Sequence, residues 1–278
     1  MNKKYLLLPG GLTACFETAC QIGEKETLKL GAYIPGISYL PKKPAHIDFT
    51  LTHKFSDQTS LSDHGHNVKL TTHKAKSLPE DVYHLFYGMQ RRELITRGLY
   101  PIHAACVGND KDFTLIVGHS GAGKTTLAQK LIDTQDLKLF SGNKTVVRFN
   151  EDGGLTAIAG TKTMTALDTN LNRFSYELEE DKYTLKNEVN ISAINIIRIN
   201  DGVEEAQEIS PVSALHTLFP YFMDAVNADV IVNENDVLDG YTNTSSKTLL
   251  TRSLANAISN IKVAKYAGSL DFLQRKVL

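Results

Sequence analysis

Residues Gly118 to Thr125 read Gly-His-Ser-Gly-Ala-Gly-Lys-Thr, a complete G-x-x-x-x-G-K-T run, and no other feature narrows the fold as far. Such a run needs a strand before it and a helix after it. Phe113-Thr114-Leu115-Ile116-Val117 supplies a short apolar strand, and Thr126 to Ile132 carries apolar residues at helical spacing. Glycines let the backbone turn several N–H groups inward, and the following helix adds its positive N-terminal end. The expected ligand is a nucleoside triphosphate, cradled by Gly118, His119, Ser120, Gly121, Ala122, Gly123, Lys124, Thr125 and Thr126. Lys124 is expected to reach the β- and γ-phosphates, and Thr125 to offer its hydroxyl to Mg²⁺. His119 projects over the phosphates by position, and ligand-facing and solvated roles are both open to it.

Bulk properties exclude several partners. At 278 residues, 42% hydrophobic and 22% charged, the chain has the composition of an ordinary globular protein. A formal net charge of −1 offers no bulk attraction to nucleic acid or to an anionic membrane, and neither is expected as a partner. The apolar run after Met1 stops too soon for a signal peptide, and no stretch is long enough to span a bilayer. Three cysteines form no metal-ligand pairs and read as buried thiols, so a cytoplasmic location is expected.

Up to Pro79 the chain reads as strands and irregular segments, with alternation over Ile47–Thr52 and Asn67–Thr72 and loop material over Ser56–Gly65. Pro79 opens a helix that carries Val82, Leu85, Phe86 and Met89 on one face, with Arg91 and Arg92 read as its solvated end and Gly98 as its terminator. Ile102–Val107 reads as one strand, joined to Phe113–Val117 by a turn too short for a parallel crossover. The strand feeding the phosphate loop should therefore pair antiparallel with its predecessor. Leu137–Phe140, a Lys144–Phe149/Leu155–Ala159 hairpin, Ile191–Ile199 and Val230–Val232 read as strands. Helices are expected from Ser210 through Leu218 and from Ser246 to Ile261. The expected fold is α/β, a mixed sheet with the phosphate loop after an antiparallel pair. Residues 1–97 form a β-rich region ending in a helix, and residues 98–278 the nucleotide-binding domain. His64-Gly65-His66 with His73 reads as loop and hairpin rather than a metal site.

Leu99–Val107, a short turn, and Val117–Leu127 together resemble the HPr kinase/phosphorylase family, which shares its fold with ATP-dependent phosphoenolpyruvate carboxykinases. The resemblance is clear over roughly Tyr83 to Ala159. It implies ATP and Mg²⁺ as cofactors and a hydroxyl-bearing acceptor in a peptide, protein or metabolite, and leaves room for a homo-oligomer. It also implies that His103, at the position of the family's histidine beside the reacting phosphate, orients or deprotonates the acceptor. Lys162, in Ala159-Gly160-Thr161-Lys162-Thr163, falls loosely on a substrate-side loop and stands as a catalytic cation beside Lys124; Lys144 is a second candidate.

The chain departs from the family at one place. Two aspartates usually follow the strand after the phosphate-loop helix; here Gly142 and Asn143 occupy those positions. Asn143 offers a neutral carbonyl to Mg²⁺ but takes no proton, and general-base catalysis typically contributes ~10²–10⁴ in rate. A carboxylate from elsewhere, Asp201 or Glu234 after apolar strands, is an alternative. Three readings follow: a kinase acting on a hydroxyl, a catalytically silent nucleotide-binding regulator, and a simple ATPase.

Overall fold

A computed structural model describes residues 1–167, 173–227, 229–240 and 244–277. The first part builds a six-stranded sheet from β1 (Asn2–Leu8), β2 (Leu12–Thr18), β3 (Ser38–Leu40), β4 (Phe49–Phe55), β5 (Ser60–His64) and β6 (Asn67–Thr72), in the order β3-β1-β2-β4-β6-β5. Helices α1 (Glu24–Tyr33) and α2 (Glu80–Thr96) complete it. Strands β2, β4 and β6 run parallel, and β5 returns antiparallel to β6. One face is apolar: Leu6, Phe16, Phe49, Leu51, Val68 and Leu70 pack with Val82, Leu85, Phe86 and Met89 of α2, the helical face legible in the sequence. Leu99 and Val146 from the second sheet join the same cluster.

The second sheet takes β7 (Leu99–Ile102), β8 (Ala104–Gly108), β9 (Phe113–Val117), β10 (Lys138–Ser141), β11 (Thr145–Phe149), β12 (Leu155–Gly160), β15 (Val189–Ile199), β16 (Glu205–Glu208) and β19 (Lys262–Gly268). Two hairpins stand apart, β13 (Met164–Leu167) with β14 (Arg173–Tyr176), and β17 (Val230–Ile231) with β18 (Val237–Leu238). The main order is β10-β8-β9-β15-β12-β11-β7, with β19 also on β15 and β16 on β19. Strands β8 and β9 are antiparallel, as their short turn requires, while β15 runs parallel to both β9 and β19, so the sheet is mixed.

Both faces of this sheet are covered, which is why its central strands read as continuous apolar runs. Ala104, Cys106, Leu115, Val117, Ile194 and Ile196 face α4 (Pro211–Asn227) and α5 (Thr244–Ile258). Ala105, Val107, Ile116 and Ile197, the alternate residues, face α3 (Lys124–Gln135) and α6 (Leu270–Lys276). Among the described residues no helix is long and apolar enough to cross a membrane.

Several expectations are corrected. The strand expected over Ile102–Val107 breaks at His103, where the chain leaves β11 as its partner and takes up β9 and β10. Ser60–His64, expected as loop, is an edge strand; paired on one side only, it carries no apolar alternation. Helix α1 lies where strands and irregular chain were expected. Helix α4 runs on past Leu218 and through Pro220 to Asn227, and α5 stops at Ile258, so that Lys262 opens β19. Arg91 is buried rather than solvated and lies over the Tyr87 ring at 4.6 Å.

The first sheet is stapled by a polar group. His53, fully buried on β4, meets Thr18 Oγ1 of β2 through Nδ1 and Thr72 Oγ1 of β6 through Nε2, each at 2.9 Å. Thr72 Oγ1 donates onward to the His73 carbonyl, so the pattern is met by a neutral ring protonated at Nε2. Burial lowers the pKa of His53 below the ordinary histidine value. The unfolded chain then binds a proton below pH ~6.5 that the folded chain refuses, and stability falls as pH drops through that value. Urea unfolding between pH 7.5 and 5.5 should show this loss, at most about 1.4 kcal/mol per pH unit, and His53→Gln should remove that part of the slope.

Candidate functional site

The Gly118–Thr125 loop is drawn tight by its own backbone and by β15. Ala122 N–H donates to the His119 carbonyl (3.1 Å), and the Ala122 carbonyl accepts from Ile199 N–H (3.0 Å). Gly123 has φ +91°, and a Cβ there would stand 2.2 Å from Ile199 Cδ1, so both its conformation and its neighbour require glycine. Lys124 then opens α3, 6% exposed, and its ammonium donates to the Gly118 (2.8 Å) and His119 (3.1 Å) carbonyls. Burial lowers its pKa to about 8. Both partners are neutral carbonyls, and a phosphate is a stronger partner for the same charge. His119, Ser120, Gly121 and Thr126 are exposed, and Ala122 and Thr125 half-buried. The His119 ring lies 5.2 Å from that of Tyr221 on α4.

Strand register gathers the other predicted residues at the same sheet end. Ala104 pairs with Val117, so His103 stands one position beyond β8 as Gly118 stands one position beyond β9. On the other side of β8, Ser141 pairs with Cys106, so Gly142 and Asn143 leave β10 at this end too. Strand β8, lying between β10 and β9, thus places half-buried His103 between the Gly118–Thr125 loop and the Gly142–Asn143 turn.

A residue that sequence reading passed over holds that turn. Thr161 Oγ1 accepts from both Asn143 N–H and Lys144 N–H at 3.1 Å each. Gly142 N–H donates to the Thr161 carbonyl (2.8 Å), and Thr161 N–H to the Lys144 carbonyl (3.0 Å). Nothing in the local sequence marks a threonine for this role, because its partners are 17 and 18 residues away. The next residue, Lys162, is exposed; its carbonyl accepts from Tyr183 Oη (3.0 Å) and its ammonium lies 5.5 Å from that ring's centroid. Lys144 turns away from the phosphate loop, its ammonium donating to the Tyr33 carbonyl at 2.9 Å. Burial, helped by the Arg91 charge, lowers its pKa to about 7.

Asp201 lies in the turn after β15, beyond Ile199, and so at this end. Glu234 does not: its neighbour Asn233 donates to the Thr59 carbonyl (3.2 Å), beside the edge strand of the first sheet. Arg252 is exposed on α5. Among the described residues no group of three or more His, Cys, Asp or Glu is placed to hold a metal. A cation here would rest on hydroxyl, carboxamide and phosphate oxygens, which suits Mg²⁺.

No family model and no curated protein matches the chain. Among solved structures it is similar to the Hpr(Ser) kinase/phosphatase from Coxiella burnetii, at 13% identity and a TM-score of 0.32, over 63% of this chain and 89% of that one. That likeness is distant.

Position 142 is closed to a side chain. A Cβ on Gly142 would lie 2.9 Å from Met164 Cγ and 3.3 Å from the Thr163 carbonyl, and Met164 is fully buried. Gly142→Asp should therefore lower stability by roughly 1–3 kcal/mol in thermal unfolding, through overpacking. Combined with Met164→Ala it should be less destabilised than the two single changes summed, because both act on one space.

Proposed function

We propose that the protein is an ATP- and Mg²⁺-dependent phosphotransferase that moves the γ-phosphate to a hydroxyl of a peptide, protein or small metabolite. The observation that carries this reading is the single sheet end shared by the Gly118–Thr125 loop, His103 and Asn143. Lys124 would exchange its two loop carbonyls for phosphate oxygens, and the loop amides would hold the rest of the chain of phosphates. The Thr125 hydroxyl and the Asn143 carboxamide would hold Mg²⁺, which offsets charge on the β- and γ-phosphates when bound. His103 would orient the acceptor hydroxyl and take its proton as the new O–P bond forms and the bond to the ADP oxygen breaks. Lys162, exposed beside the same turn, would meet the acceptor. Phosphoryl transfer through a loose transition state depends chiefly on positioning and charge, so a missing carboxylate lowers the rate without abolishing the chemistry.

A second reading is favoured by one observation. Met164 fills the space where a carboxylate at position 142 would stand, which suits a nucleotide-binding regulator that does not turn over.

Purified protein with γ-labelled ATP, Mg²⁺ and a cell extract separates these readings. Transfer of label to a peptide, protein or metabolite is expected, lost in Lys124→Ala and reduced ~10²–10⁴-fold in His103→Ala, the usual range for an acid–base group. Full transfer by His103→Ala would remove that residue's role. Label released only as inorganic phosphate would make the protein an ATPase, and label left on bound ATP would make it the silent regulator.

A further inference from the structure

Lys144 ties the Gly142–Asn143 turn both to the sheet and to the N-terminal helices. Its backbone is held on three sides: the carbonyl accepts from Ser141 Oγ (2.6 Å) and Thr161 N–H (3.0 Å), and its N–H donates to Thr161 Oγ1 (3.1 Å). Its side chain leaves the sheet and enters a box built by α1 and α2. The ammonium donates to the Tyr33 carbonyl at 2.9 Å and lies 4.6 Å from the Tyr33 ring centroid and 4.1 Å from that of Tyr87. Arg91 shares the Tyr87 ring at 4.6 Å, and His84 meets the Tyr33 ring edge-on at 5.1 Å.

A half-buried ammonium is a poor choice for stability alone. Taking a cation out of water is costly, and an apolar side chain of the same length often serves a fold as well or better. What the charged group adds is direction: one carbonyl and two ring faces define where Nζ sits, and at the other end of the same residue the N–H that follows Asn143 is held by Thr161.

We propose that Lys144 is a positioning residue, holding Asn143 in place for the metal-bound nucleotide by anchoring the turn to α1 and α2. The proposal rests on the reading of this sheet end as a Mg-ATP site. It places the N-terminal region in the function of the site through Tyr33 and Tyr87, rather than as a cover for the sheet.

Lys144→Met keeps the length and removes the charge and its directed bond. Amide hydrogen exchange and Mg²⁺-ATP affinity, measured on the full chain, test the proposal. In Lys144→Met, exchange at Asn143 and its neighbours should quicken ten-fold or more, and Mg²⁺-ATP affinity should fall about ten-fold. Affinity for ATP without Mg²⁺, exchange in the Gly118–Gly123 loop and the unfolding temperature should stay close to wild type. Tyr87→Phe, which keeps the ring, should behave as wild type, and Tyr87→Leu should reproduce the turn's faster exchange. Unchanged exchange at Asn143, or faster exchange spread over the whole chain with a lower unfolding temperature, would overturn the proposal. Wild-type protein that binds no ATP would instead remove the nucleotide reading, and the exchange measurements would still decide whether Lys144 holds Asn143.

Discussion

Asn109 sets the register on which the candidate site depends. Its Oδ1 accepts from the backbone N–H groups of Lys111 (2.8 Å) and Asp112 (3.0 Å), and its own N–H donates to the Asp112 carbonyl (3.1 Å). This turn seats Gly108 opposite Phe113 and, four residues on, Ala104 opposite Val117. A slip of one residue would turn Leu115 and Val117 away from α4 and α5, so both covered faces oppose it. The same register delivers His103 beside Gly118. A turn at one end of the sheet thus determines which groups meet at the other.

The break at His103 gives that register its use. Before it, Leu99–Ile102 pairs with β11; after it, Ala104–Gly108 pairs with β9 and β10. Because β12 and β9 both pair with β15, the bent strand closes a circuit of pairings through β7, β11, β12, β15, β9 and β8. Thr145 Oγ1 donates to the Ala104 carbonyl (2.9 Å) across the corner. A histidine at such a corner lies at the end of two short strands at once, and is held in place by both.

What could be read from the sequence was what is local. The Gly118–Thr125 loop, its strand, its helix and the antiparallel turn are encoded within about 25 residues, and chain proximity alone specifies them. The apolar face of α2 was legible because helical spacing repeats within it. The edge strand β5 was not, since Ser60–His64 has neither an apolar face nor a second partner. Helix α4 ran past its expected end because Phe222, Met223 and Val226 pack on the sheet and override the Pro220 signal. Lys144 was legible only as a candidate cation, and its partners, like the role of Thr161, escaped for a different reason. The lysine's ammonium meets a carbonyl 111 positions away, a pairing that no local pattern carries. Arg91 looked like a solvated helix end although Tyr87, four positions before it on the same helix, supplies its platform.

The Gly142–Met164 contact bears on how this sheet end could do chemistry at all. Glycine at 142 has a buried methionine against it, and the turn is bonded around that arrangement by Thr161. A carboxylate at 142 would need the methionine to yield as well, so the two positions are coupled. On the proposed phosphotransferase reading, proton handling would fall to half-buried His103, which the register sets beside Gly118. On the same reading, charge neutralisation would fall to Lys124 and to oxygen ligands on a cation, and positioning to the Thr161–Lys144 corner. Division of the work in this way makes the placement of Asn143, rather than the basicity of any residue at 142, the quantity on which turnover at this site would depend.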